Sequence, residues 1–316
     1  MLLRSLPKFF YSIRSPLFIP GHDARKLLKT AKLSYDGFLP SIICPDFEDS
    51  VPPSMKLEAI EVTINHLNLL SAIRPVYPRL NSLPSGLFER DLELILTEAT
   101  KNQIKGFIIP KLNSLSEYQT IIAAIERKER TLFPNKEANE QDNNTKNKYH
   151  LIVWIESTKG LINMKEILSF DSDHKRINAM AFGAEDFTKD FEIERTKGLE
   201  ELNVARNLFC ITAHAFDVVA LDTPYVEFKN DEGLRKDIDF VKSLGFKGKF
   251  AIHPDQIKRI NVQFSPSKKE LEWALKIQTV FEDAIESRKG ALEVDGEMVD
   301  FPVYNRALRI IKRSRE

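Results

Sequence analysis

Carboxylates recur at one kind of place in this sequence, directly after short apolar runs. Asp46, Glu48 and Asp49 follow one run, Glu156 a second, Glu185 and Asp186 a third, and Asp222 a fourth. Other runs end in Arg79-Leu80-Asn81, in Pro110-Lys111 and in His253-Pro254. Any single acid could be the cap of the next helix, for which Asp is a favoured residue. Four or more carboxylates converging on one mouth would repel one another unless a cation, or Arg and Lys partners, neutralised them. A hard divalent ion is the natural partner. Oxygen donors without thiolates or paired histidines favour Mg2+ or Mn2+ over zinc.

The elements that must position these residues can be counted. Apolar runs at 17–20, 38–44, 76–80, 106–110, 151–155, 177–182, 218–221 and 249–252 read as eight strands. Between them lie stretches such as 24–33, 55–70, 89–100, 115–128, 202–216 and 234–244, with apolar residues at helical spacing. Eight strands with crossover helices predict an α/β fold, a (β/α)8 TIM barrel, whose chemistry belongs at the C-terminal strand ends. An open doubly wound sheet is the alternative, but the first strand-to-helix turn has no GxGxxG and no Walker loop appears. Residues 130–150 are polar and aperiodic, and read as a flexible loop on the face opposite the strand ends that carry chemistry. Beyond the eighth strand come a long amphipathic helix at 267–287, a tight turn at Asp295-Gly296 and a basic helix to Arg315. The expected organisation is a barrel over 14–264 and a helical and hairpin appendage over 265–316.

Composition bounds the function. With 42% hydrophobic and 29% charged residues the chain is globular, and 46 basic against 46 acidic residues leave no field to hold a nucleic acid. Cys44 and Cys210 form no CxxC pair, which excludes a disulfide framework or a thiolate zinc site. No apolar run approaches the roughly 18 residues of a membrane span. The opening MLLRSLPKFFYSIRS is basic, and the first acidic residue is Asp23. That pattern predicts a mitochondrial presequence over 1–13. Asn143-Asn144-Thr145 matches a glycosylation acceptor, but without a secretory leader it is read as chance.

The segments RSPLFIPGHDARKLLK, PDFEDSVPPSMK, PRLNSLPSGLFERDLE, GFIIPK, VWIESTKGLIN, AFGAEDF, KGKFAIHPDQI and FSPSKKELEWA occur in order. Together they resemble the CitE-like (citrate lyase beta subunit-like) family of the HpcH/HpaI aldolase superfamily. The later GEMVDFP resembles its mitochondrial branch. The resemblance implies a Mg2+-dependent lyase that cleaves citramalyl-CoA to pyruvate and acetyl-CoA by a retro-Claisen reaction, with a malate synthase-like side activity. It implies Glu156 and Asp186 as metal ligands and Arg79 as the arginine that neutralises the substrate oxyanion. Arg25 and Lys29, which i,i+4 spacing puts on one helical face, are implied as coenzyme A contacts. Phe18, Ile252, His253 and Val299 are implied to line the coenzyme site, and Asp300 to be the acid/base. It also implies a homotrimer in which Asp300 serves the neighbouring barrel.

Four departures bear on substrate preference. Phe18 stands where the family carries Tyr, Arg25 where it carries Lys, Ser50 where it carries a small Gly or Ala, and Pro45 where it carries an apolar residue. One rival is an enzyme of the same family acting on malyl-CoA or β-methylmalyl-CoA, since one methyl in a pocket is worth only about 1–3 kcal/mol. A rival of another class is a non-catalytic acyl-CoA-binding barrel.

Overall fold

The computed structural model describes residues 13–33, 39–134, 148–196, 199–286 and 290–314. These form two compact units, 13–261 and 262–314. In the first, short strands alternate with helices. The strands are β1 (Pro16–Pro20), β2 (Ile42–Asp46), β3 (Gly106–Ile109), β4 (His150–Ile155), β5 (Ile177–Phe182), β6 (Val219–Asp222) and β7 (Gly248–Lys249). Most of their residues are buried, which is why they read as continuous apolar runs and not as alternating ones.

All pairings are parallel: β1 with β2, then β3 through β7 in sequence order. Residues 76–79 fill the gap between β2 and β3, bridging Ile43 and Asp46 on one side and Ile104 and Ile108 on the other. Leu17 bridges Ala251, which joins the last strand to the first. Eight parallel strands therefore close into a barrel, as the run count predicted. The third strand is a set of bridges because Pro45 and Pro78 have no N–H to give a ladder. Their carbonyls still accept, from Arg79 N at 2.8 Å and Ile108 N at 2.9 Å.

The crossover helices are α1 (Ala24–Ala31), α2 (Lys56–Ser71), α3 (Phe88–Ile95), α4 (Leu115–Leu132), α5 (Thr158–His174), α6 (Ala184–Asp190), α7 (Asn203–Ala215) and α8 (Asp231–Leu244), with α9 (Pro254–Phe264) after β7. Several start where a short polar side chain captures an otherwise unpaired N–H: Asp23 from Lys26, Ser114 from Glu117, Ser157 from Gly160 and Asn230 from Gly233. Strand two was expected at 38–44 and lies at Ile42–Asp46; Phe38 falls outside the described residues.

The expected loop at 130–150 needs correcting at both ends. Helix α4 continues to Leu132, and Tyr149 is already buried just before β4. A buried ion pair explains this. Glu129 accepts from Tyr149 N at 2.7 Å and from Arg176 Nη1 at 2.9 Å, so it ties the end of α4 to the starts of β4 and β5. Residues 135–147 lie outside the described residues, as do 1–12.

The second unit has α10 (Lys268–Glu286), β8 (Ala291–Val294), β9 (Glu297–Asp300) and α11 (Phe301–Ser314). Asp295 and Gly296 both adopt positive φ, 53° and 84°, the pair of angles a two-residue hairpin turn requires. The unit packs on a core of its own made by Ala274, Ile277, Phe281, Val294, Val299, Ala307 and Ile311. Phe281 stacks on Tyr304 at 5.0 Å and meets the edge of Phe301 at 5.1 Å.

Candidate active site

Barrel closure brings the ends of β2, the 76–79 segment, β3, β4 and β5 around one mouth. Asp46, the last residue of β2, does not face that mouth as a free acid. It accepts from Arg79 Nε at 2.6 Å and Arg79 Nη2 at 2.8 Å, and from the Glu48 and Ser50 amides. Burial alone would raise its pKa, but the Arg79 charge and these hydrogen bonds outweigh that and hold it at about 2. Arg79 is thereby fixed. Its guanidinium carbon lies 4.6 Å from the centre of the Phe18 ring, which stacks on Phe250 at 4.8 Å, with Trp154 edge-on to Phe250 at 4.7 Å. Phe18 therefore supports Arg79 from within the barrel.

The remaining Arg79 nitrogen, Nη1, faces Glu48 Oε2 at 3.1 Å and Asp49 Oδ2 at 3.2 Å. Beyond it, Asp49, Glu156 and Asp186 each offer an oxygen, all within 4.8 Å of one another. These acids crowd. Burial, then the Glu48 charge, push Glu156 well above the usual carboxylate range. Burial pushes Glu48 up to about 7, against the pull of Arg79. Asp186 is lowered instead, because a hydrogen bond with Glu156 and the nearby Lys111 charge outweigh its burial. The two neighbouring carboxyls are therefore shifted in opposite directions. Buried Glu48 Oε2 has no aligned hydrogen-bond donor. Oxygen donors at this spacing, partly buried and crowded by like charge, fit a hard divalent cation.

Local structure sets this geometry. Gly183 precedes α6 because a Cβ there would come 2.6 Å from Glu156 Cγ and 3.0 Å from the Trp154 ring. The Ala184 N–H donates to Thr223 Oγ1 at 3.3 Å, which anchors the turn that carries Asp186. Ser157, which caps α5, follows Glu156 directly and fixes the end of β4.

Asp222 corrects the expectation that every strand-end acid opens into the mouth. It is fully buried, accepting from Arg206 Nε and Nη2 at 3.1 Å each and from Lys249 Nζ, with Asp237 beside Lys249. Like Asp46, it is neutralised by the chain itself. Lys249→Met keeps the volume and leaves two buried carboxylates short of a cation, so it should destabilise the barrel by about 3–5 kcal/mol in urea unfolding. A variant within about 1 kcal/mol of the parent would overturn that assignment.

The coenzyme residues expected from sequence lie on different elements. Arg25 and Lys29 project from the exposed face of α1, opposite buried Leu27 and Thr30. Ile252 is 42% exposed, and His253 stacks on Phe228 at 4.8 Å. Gln256, which sequence reasoning did not find, accepts from the N–H groups of both and donates to Tyr225 O, tying two strand-end loops together. Val299, expected to line the coenzyme site, is 2% exposed in the core of the second unit, because the hairpin turns that face inward. Asp300 accepts from Val303 N at 3.1 Å and so caps α11. Glu48, Asp49 and Lys111 were placed at strand ends by the sequence but given no individual role there. The only signal for them was their place after strands two and four.

The HpcH/HpaI aldolase/citrate lyase family model matches residues 14–254. The mitochondrial citramalyl-CoA lyase of Rattus norvegicus is 30% identical over 94% of this chain and 85% of that protein. The citrate lyase subunit beta of Leuconostoc mesenteroides subsp. cremoris is 28% identical, covering 95% of this chain and 92% of its own. Among solved structures, the CitE protein of Mycobacterium tuberculosis in complex with magnesium, acetoacetate and coenzyme A superposes with a TM-score of 0.70. It is 23% identical and covers 97% of this chain and 100% of that one.

Proposed function

We propose, for a chain that belongs to the HpcH/HpaI aldolase/citrate lyase family, that this lyase cleaves citramalyl-CoA to pyruvate and acetyl-CoA with Mg2+ at Glu156 and Asp186. The observation that carries the reading is the carboxylate cluster of Asp49, Glu156 and Asp186 beside a guanidinium that cannot move away. The name of the Rattus norvegicus relative supports citramalyl-CoA as substrate, and the Mycobacterium tuberculosis complex supports magnesium and coenzyme A as ligands. The basic leader and the same relative support a mitochondrial location.

When bound, Mg2+ supplies a Lewis acid for the oxygen that changes from hydroxyl to keto. The chain supplies the rest. The hydroxyl proton passes to solvent as the carbon–carbon bond breaks, and the electron pair of that bond moves into the thioester as an enolate. Arg79, locked by Asp46 and backed by Phe18, is a fixed positive charge for that developing oxyanion. Asp300, supplied by the neighbouring subunit of a homotrimer, gives the enolate carbon its proton. Run backwards, Asp300 takes a proton from the acetyl-CoA methyl, which makes a malate synthase-like side activity expected.

The test is an assay of purified protein with citramalyl-CoA and malyl-CoA, with and without Mg2+, following keto-acid release. Faster Mg2+-dependent cleavage of citramalyl-CoA is expected. Preference for malyl-CoA would move the substrate within the family, and no turnover of either would favour a non-catalytic acyl-CoA-binding barrel.

Arg25→Ala and Lys29→Ala should each raise KM for the acyl-CoA several-fold with kcat less affected, because phosphate anchoring is common to ground and transition states. Substrate lacking the 3′-phosphate should blunt at least one penalty. Loss of kcat alone in both variants would refute the anchoring role.

A further inference from the structure

We infer that the Lys111 ammonium is a built-in competitor for the divalent-cation site, occupying its charge-neutralising position until the ion binds and drives it out. This rests on the divalent-cation reading above. Nζ lies 2.9 Å from Glu48 Oε1, 2.9 Å from Asp49 Oδ1 and 3.3 Å from Asp186 Oδ2. Asp49 and Asp186 are two of the three acids whose oxygens converge. An ion held by Asp49 and Asp186 would take over the charge-neutralising role the ammonium now has. The two cations cannot share it.

The backbone is built for this contact. Lys111 adopts φ of 53°, the left-handed region that a lysine rarely enters, and its own N–H donates to Glu156 Oε1 at 3.3 Å. That conformation turns the side chain from the end of β3 across the mouth to the loop after β2.

Among the described residues two cations form ion pairs with the cluster, and they differ in freedom to leave. Arg79 is buried, bidentate on Asp46 and stacked on Phe18. The Lys111 side chain is one-third exposed and ends in a flexible four-carbon stem with a route to solvent. Displaced from Asp186, it can keep Glu48, which is not among the three converging acids.

The experiment is calorimetric titration of Mg2+ into the EDTA-stripped full-length protein and into Lys111→Met and Lys189→Met. Lys189 lies one turn beyond Asp186 on α6 and acts on it by charge without an ion pair, so it reports long-range charge alone. Lys111→Met is expected to tighten Kd by about tenfold or more, and Lys189→Met by no more than about twofold. In protein whose lysines carry 13C-dimethyl groups, the resonance missing from Lys111→Met should shift along the Mg2+ titration with the same midpoint. Equal tightening in both variants, or a Lys111 resonance that does not respond, would overturn the inference and leave the cation site standing. Absence of Mg2+ binding in all three proteins would remove the cation site and the inference together.

Discussion

Glu156→Gln and Asp186→Asn should each lower Mg2+ affinity by at least about a hundredfold and reduce citramalyl-CoA cleavage below detection. A hundredfold corresponds to about 2.7 kcal/mol. Even at the dielectric of water, a carboxylate charge about 2.1 Å from a divalent ion contributes about 4 kcal/mol, and the partly buried mouth strengthens that. The amide keeps the shape and loses the charge. Folding should be spared in Glu156→Gln, because the amide keeps the carboxyl's shape and removes one charge from a crowded set of acids. Calorimetry with Mg2+, together with thermal melting of each variant, separates loss of the ion from loss of the fold. Unchanged Mg2+ affinity in both variants would sink the ligand assignment.

The second large effect concerns Asp300. Glu156→Ala and Asp300→Asn proteins should each be inactive, yet co-assembled from a 1:1 mixture they should recover activity at about a quarter of the sites, if the tail of one subunit serves the next barrel. Asn is the right replacement for Asp300, because its side-chain oxygen still accepts from Val303 N and preserves the cap of α11, whose loss to Ala would cost about 1 kcal/mol. A role in capping alone then predicts an active Asp300→Asn enzyme, whereas an acid/base role predicts a dead one. An inactive mixture of verified hetero-oligomers would refute supply in trans, since every site would then lack one group.

What the sequence determined by itself was the barrel and which polar residues end its strands. Parallel strands bury both faces, so each appears as an apolar run, and each run ends where the chain turns out to a polar residue; eight runs and their endings were therefore countable before any coordinate. The hairpin at Asp295-Gly296 was legible for a similar reason, because a two-residue turn needs positive φ and those residues tolerate it. Only the tertiary structure decided which endings remain available for chemistry. Asp46 and Asp222 carry the same charge at the same kind of position as Glu156 and Asp186. Arg79 claims the first, and Arg206 with Lys249 claims the second, across separations of 33, 16 and 27 residues that no local pattern encodes. The left-handed turn at Lys111 was equally hidden, since nothing in Pro110-Lys111 requires it; packing against Glu156 and the loop after β2 does. Strand ends are a one-dimensional signal, whereas charge neutralisation is a property of neighbours in space, and closure of the barrel is what chooses the neighbours.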